Sequence, residues 1–261
     1  MLNDLTFCIL VKNEADNLLE LLPLLTRLPA KIIVFDTGST DMTVDVVKKY
    51  NVSMATVPWS NDFAKVRNTI LESVETSWVF MLDADERLTL ELEKEVIEIL
   101  KNNSEINGYY VPRKNHYLGK WLKYGGQYPD YQLKILRKDK AKFTRLVHEK
   151  TIVEGKVAYC HNHLLHYPYK TVSRYLRKFD LYSSMEAEIL FQSGIRPTFR
   201  LGFRWMVIKP FARFLKRFVF KGGFLDGIPG FFAAFFDAVG YVVRFIKLWE
   251  MKNTFKNKRI K

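Results

Sequence analysis

The chain has 261 residues, 48% of them hydrophobic and 26% charged, enough for one large α/β domain or for such a domain with a smaller appendage. Its formal net charge of +13 is concentrated: residues 199–261 hold 14 Lys and Arg against 3 Asp and Glu, and 13 of the 20 phenylalanines. So many apolar anchors among basic residues argue against nucleic acid and for an anionic membrane surface, and two distant cysteines exclude a disulfide framework or a zinc cluster.

The first hundred residues alternate between strand-like and helix-like patterns. Leu5–Val11 is an apolar strand. Glu14–Leu28 carries Leu18, Leu21, Leu22 and Leu25 at helical spacing. Lys31–Phe35 is a strand, Asp41–Tyr50 a short helix capped by Ser39 or Thr40, Val52–Val57 a strand, Asp62–Glu75 a helix and Trp78–Leu82 a strand. This βαβαβαβ order predicts a parallel sheet with helices on both faces. Beyond Leu100 the pattern changes to strands at Tyr109–Arg113, Tyr131–Arg137 and Ala141–Val147. From Val172 the chain reads as helical: one helix to Gln192, an amphipathic stretch over Phe199–Phe220, the connector "KGGFLDGIPG", and Phe231–Lys252. The expected division is an α/β domain over residues 1–170 and a helical, amphipathic extension over 171–261. Asp237, Arg244 and Lys247 interrupt the last helix too often for a membrane span. An in-plane anchor or a helical subdomain that caps the sheet or dimerises fits it better. No signal-peptide pattern opens the chain, so the expected place is the cytosol or the cytosolic face of the inner membrane.

Four polar segments fall at the expected strand ends: "KNEAD", "DTGSTD", "PWSNDFAKVRN" and "DADE". In a parallel sheet such ends lie together and bind ligands. Asp83 and Asp85, spaced by one residue on an extended segment, point to one side and can reach one cation with its phosphate oxygens. Their hard oxygens suit Mg2+ or Mn2+, which would also relieve the repulsion among Asp83, Asp85 and Glu86. The same acids would also suit a helix N-terminus. Gly38 permits a tight turn, and Asp36, where its strand stops, can accept hydrogen bonds from a base or ribose, or simply cap a turn. Asn13 and Glu14 close the first strand, where Glu14 also favours a helix start. Arg67 either contacts phosphate or pairs with an acidic loop.

"FCILVKNEADNL", "IIVFDTGSTDMT", "WSNDFAKVRN" and "WVFMLDADE", in that order and spacing, resemble the family 2 glycosyltransferases of the GT-A fold. The resemblance implies a Rossmann-like nucleotide-sugar domain, mainly parallel and flanked by helices. It implies that Asp36 binds the nucleotide base, that Asn13, Glu14, Gly38, Ser39 and Arg67 help hold the donor, and that Asp83, Ala84 and Asp85 meet ribose and metal diphosphate. Asp85 would be the direct metal ligand, His166 of "LLHYPY" a later ligand, and Glu149 of "LVHEKT" the base that deprotonates the acceptor. Gly126, Gln132 and Arg137 fall where the acceptor side is normally lined. With one base and no second nucleophilic carboxylate, the sugar is transferred with inversion. The C-terminal segment is similar to bacterial enzymes that add glucose to a heptose of the lipopolysaccharide inner core, implying a UDP-sugar donor, UDP-glucose first, and a lipid-linked saccharide acceptor. The competing readings are a metal-dependent sugar nucleotidyltransferase, for which "LVKNEADNLLE" lacks the glycine-rich triphosphate loop, and a non-catalytic saccharide-binding protein, which would not need both the acidic pair and the base.

Overall fold

The computed structural model describes residues 2–58, 63–102, 105–144 and 150–258. The chain divides into two compact units, one of Met1–Arg113 with Asp130–His166, the other of Lys114–Pro129 with Tyr167–Lys261.

The first unit begins with β1 (Leu5–Val11), α1 (Ala15–Leu25), β2 (Lys31–Asp36), α2 (Thr43–Lys49), β3 (Ser53–Thr56), α3 (Phe63–Ser73) and β4 (Trp78–Asp83). It continues through β5 (Glu86–Leu88), α4 (Leu90–Lys101), β6 (Ile106–Tyr117), β7 (Lys120–Trp121), β8 (Asp130–Arg137), β9 (Ala141–Thr144), β10 (Lys150–Val153), β11 (Lys156–Tyr159) and β12 (Leu164–Tyr169), of which β7 and the ends of β6 and β12 belong to the second unit. The strand order is β3-β2-β1-β4-β8-β6-β12-β5. From β3 to β4 neighbours run parallel. The pairs β4–β8, β8–β6 and β12–β5 are antiparallel, so the sheet is mixed. The switch follows from the connections: helical crossovers return the chain in the same direction, whereas after Leu100 the strands are joined by loops.

Side-chain alternation builds a core on each face. Leu5, Phe7, Ile9 and Val11 of β1 join Phe80 and Leu82 of β4 and the apolar stripes of α1 and α4. Cys8, Phe35, Val79 and Met81 point the other way, onto Ala64, Val66, Ile70 and Leu71 of α3. Each fully buried side chain of this size contributes about 1.5–3 kcal/mol. Burial of both faces explains why "LTFCILV" is apolar almost throughout. The helix α4 was not among the elements expected from sequence. Its stripe, Leu92, Val96 and Ile99, is thin within a Glu- and Lys-rich run, and Thr89 starts it by accepting from the Leu92 amide at 3.2 Å.

The second unit contains α5 (Val172–Gln192), α6 (Phe199–Phe203), α7 (Lys209–Phe214) and α8 (Ile228–Lys258). The stretch expected to be one amphipathic helix over Phe199–Phe220 is instead broken by π-helical turns at Arg204–Ile208 and Leu215–Phe220. Tyr175 of α5 packs its ring on Phe232 and Phe236 of α8 at 4.6 and 4.9 Å between centroids. Lys247 of α8 reaches the Asp180 carboxylate at 2.6 Å. The glycine-rich connector is a clasp: Asp226, 3% exposed, accepts from the Lys123 and Tyr124 amides at 3.2 and 2.9 Å. A Cβ on Gly230 would lie 2.1 Å from the Gly223 carbonyl oxygen, so no larger residue fits there. Among the described residues no helix is long and apolar enough to cross a membrane.

Candidate functional site

The register of β1 with its neighbours sets the site. Val11 pairs with Asp36 on β2 and Leu10 with Asp83 on β4, so the two aspartates leave the sheet on either side of β1 at its carboxyl end. This is where the strand order reverses, a position at which neighbouring loops part to leave a crevice.

The first two loops are knotted together. Asp36, 5% exposed, accepts from the Gly38 amide at 3.1 Å and from the Ser39 hydroxyl at 2.5 Å. Gly38 makes this turn at φ +98°, which L side chains rarely adopt. The Asn13 side-chain oxygen accepts from the Thr40 amide at 2.7 Å, while its own amide donates to the Ser39 hydroxyl at 2.8 Å. Asn13 sits at φ 56°, a region asparagine tolerates well. Glu14 donates its amide to the Thr43 hydroxyl at 3.0 Å and accepts from Asn17 at 2.6 Å. Asn13, Glu14, Asp36, Gly38 and Ser39 thus form one rigid surface.

The acidic turn after β4 is neutralised by the protein's own cations. Lys134 of β8, almost buried, bridges Asp83 at 2.7 Å and Glu86 at 2.8 Å. Arg67 of α3 meets the other Asp83 oxygen at 3.3 Å. Glu86 is fully buried; it also holds Arg113 at 3.2 Å and the Asp83 amide at 2.9 Å. Arg113 continues the chain to Asp130 at 2.7 Å. Burial by itself would raise the Asp83 carboxyl's pKa, but Lys134, then Arg67 and Arg113, outweigh it and hold the group well below the usual carboxylate range. Burial likewise opposes charge on Arg113, and Glu86, Asp130 and Asp83 reverse that, keeping the guanidinium protonated. The expected relief of this cluster by a divalent cation is therefore supplied, for Asp83 and Glu86, by lysine and arginine.

Asp85 differs. It lies on the turn between β4 and β5, 8% exposed, and its Oδ1 is 3.5 Å from Nε2 of His166. His166 arrives there because β12 pairs with β5 in a register that sets it opposite Glu86. Arg87 fixes the turn from behind, donating to the Ala84 carbonyl at 2.7 Å and to the Asn17 carbonyl of α1 at 3.0 Å. Two side chains, a carboxylate oxygen and an imidazole nitrogen, therefore converge where a cation can be held. Among the described residues no group of three or more acids, histidines or cysteines is arranged around one point.

Of the other expected residues, Glu149 lies outside the described residues. Asn68 clamps β9, exchanging two 2.9 Å hydrogen bonds with the Phe143 backbone. Gln132 donates to Asp130 at 2.8 Å, Arg137 covers the Trp78 ring at 5.8 Å, and Gly126 belongs to the second unit. Lys134, Arg113 and Arg87 were not expected. A signal for Lys134 existed: in "YQLKILR" a lysine sits mid-strand between Leu133 and Ile135, where only a buried acid would hold it.

The family model for Glycosyl transferase family 2 matches residues 6–161. The lipopolysaccharide core biosynthesis glycosyltransferase LpsC of Rhizobium meliloti is 28% identical over 229 residues, covering 85% of this chain and 83% of that protein. An uncharacterized glycosyltransferase of Rickettsia prowazekii is 26% identical over 254 residues, covering 87% and 82%. Among solved structures, the mannosyltransferase PcManGT of Pyrobaculum calidifontis, in complex with GDP-Man and Mn2+, superposes with a TM-score of 0.54 at 11% identity, over 94% of this chain and 86% of that one. At that identity the likeness establishes the fold alone.

Proposed function

The chain belongs to glycosyl transferase family 2, and from that premise we propose that it moves a sugar from a UDP-sugar, UDP-glucose first, onto a lipid-linked saccharide, a heptose of the lipopolysaccharide inner core. The observation that carries the donor half is the strand-end arrangement: a knotted base-side surface at Asp36, a fixed Asp83, and Asp85 beside His166. The likeness to LpsC, which reaches beyond the residues matched by the family model, supports the acceptor half. Family membership leaves the nucleotidyltransferase reading without support.

Asp36 and the Asn13–Ser39 surface hold the nucleoside, with the Asp36 carboxylate oriented by its own loop so that no reorganisation is needed on binding. Asp83, pinned by Lys134 and Arg67, stays ionised and presents its rim to the ribose. Asp85 and His166 would hold Mg2+ or Mn2+, and two protein ligands suit an ion that keeps its other positions for water and diphosphate. The PcManGT structure, which contains Mn2+ and a nucleotide sugar, is in keeping with this. When bound, the ion neutralises charge growing on the leaving diphosphate. Glu149 takes the proton of the acceptor hydroxyl, and a single displacement at the anomeric carbon inverts its configuration.

The second unit supports association with a membrane surface. Phe199 is 93% exposed, Phe220 and Ile228 80% each and Phe211 67%, on a segment also bearing Arg200, Arg204, Lys216 and Lys221. Each basic side chain near an anionic surface adds about 1 kcal/mol, and buried phenylalanines add a part that salt does not screen.

The test is nucleotide release from UDP-, GDP- and ADP-sugars, with and without Mn2+, in the presence of lipopolysaccharide truncated at the inner core. Release of UDP coupled to a β-linked sugar on the acceptor is expected. Turnover unchanged in excess chelator would remove the metal, and release only from a GDP- or ADP-sugar would overturn the donor.

A further inference from the structure

The second unit contains a cavity of about 370 Å³, within the range of small-ligand sites, about 300–1,000 Å³. None of the expected residues accounts for it. Its wall is assembled from stretches far apart in sequence: the end of β6, the loop at Gln127, the end of β12, α5, the π-helical region and α8.

The lining combines rings with paired charges. Tyr117, Tyr169, Tyr175, Tyr182 and Tyr241 face it. Tyr175 is rigidly backed, with its ring 4.5 Å from Tyr169 and 4.9 Å from Phe236. Between the rings, Arg213 and Arg217 both hold Asp237, the latter at 2.8 Å, and Arg244 holds Glu186 at 2.8 Å. These five side chains keep between 18% and 37% of their surface exposed, so they remain open to a ligand.

This composition discriminates between ligand classes. A bare anion is disfavoured because each guanidinium already holds a carboxylate. A hydrocarbon chain is disfavoured because it would strip water from five charged groups. A saccharide uses both halves: its hydroxyls donate to Asp237 and Glu186 and accept from the arginines, and its C–H faces lie on tyrosine rings. We infer that this cavity binds sugar units of the acceptor, which makes the second unit an acceptor-recognition module. The inference rests on the proposed saccharide acceptor and deepens it.

The probe is the water-soluble oligosaccharide released from inner-core lipopolysaccharide by deacylation, used with full-length protein. Two variants are compared, Glu186→Gln, which keeps the shape, and Tyr182→Ala, which removes a ring 46% exposed. Circular dichroism and thermal melting report the fold. Glu186→Gln should raise the acceptor KM and the oligosaccharide Kd by about tenfold or more, the scale of one hydrogen bond to a charged group, and Tyr182→Ala by about 2–10-fold, the scale of one ring contact, while kcat at saturating oligosaccharide stays near wild type. Transfer to the oligosaccharide with KM and Kd unchanged in both variants would overturn the inference and leave the proposed function standing. Wild-type protein that turns over a UDP-sugar on some other acceptor, yet neither binds nor glycosylates this oligosaccharide, would overturn the acceptor reading and the inference together.

Discussion

The strand ends of the first unit and the cavity of the second both set acids against basic side chains, lysine and arginine in the first and arginine alone in the second, but they do so for different ends. At the strand ends the charges form one continuous relay, Arg67–Asp83–Lys134–Glu86–Arg113–Asp130, with Glu86 fully buried at its middle. In the cavity two separate clusters, Arg213–Asp237–Arg217 and Arg244–Glu186, ring about 370 Å³ of open space. The buried middle of the relay fixes the turn that carries Asp85 and leaves Asp83, its side chain 32% exposed, at the rim of the strand ends. The open ring presents itself. Charge pairing alone therefore does not mark a ligand site; what separates the two is that the strand-end relay is anchored on a fully buried acid, whereas every charged member of the cavity clusters is partly exposed.

The contrast breaks most sharply at Asp85. Asp85→Ala should leave circular dichroism unchanged and lower transfer by about 10³-fold or more, the several kcal/mol that metal stabilisation of a leaving group represents. Near-normal turnover in that variant would move the ion elsewhere. Lys134→Met should do the reverse and damage the fold, because it removes the buried cation between Asp83 and Glu86 and leaves each with a single arginine, Arg67 and Arg113. A loss of about 3–5 kcal/mol in denaturant unfolding is expected, and a loss within experimental error would mean that the relay is not structural. Glu149→Gln should preserve UDP binding and lower turnover by about 10²–10⁴-fold. If turnover holds, Asp130 becomes the next base to test.

Smaller effects sharpen the picture. Glu95 sits partly buried and accepts from the His161 and Asn162 amides at 2.8 Å each; burial would raise its pKa, and these bonds, outweighing that, lower it. A depressed carboxylate stabilises the fold at pH values above its unfolded pKa of about 4.3 and loses that contribution as pH falls. Glu95→Gln should therefore lower stability near neutrality and flatten its fall in acid; an acid limb identical to wild type would contradict the assignment. Gly38→Ala should cost about 1–2 kcal/mol through its positive φ alone, since a Cβ there meets nothing within 4 Å. A neutral substitution would mean that the turn relaxes.

Much of the first unit was legible because its determinants are local. An apolar strand, a polar strand end and a helix stripe repeat within about thirty residues, and parallel pairing then brings the polar ends together without further information. The charge relay was less legible, since Lys134 and Arg113 lie on antiparallel strands whose pairing with β4 and with each other no local pattern announces. The cavity was not legible at all. Tyr117, Tyr175, Arg217 and Asp237 are separated by up to 120 positions and share no spacing, so only the folded helices reveal them as one surface. Of the π-helical breaks within Phe199–Phe220, the first had a local signal in Pro210, which has no N–H to donate to Met206, whereas the second, Leu215–Phe220, contains no proline or glycine.

The division of labour between the two charged regions rests on the donor binding at the strand ends through an ion held by Asp85. Calorimetric titration of UDP into the protein, with and without Mn2+, for the wild type and Asp85→Ala, tests this most directly. Wild-type affinity should rise with Mn2+, and Asp85→Ala should lose that increment while retaining the weaker metal-free binding that Asp36 and its loop provide. Equal UDP affinity in wild-type protein with and without the ion, or an increment that survives in Asp85→Ala, would contradict it.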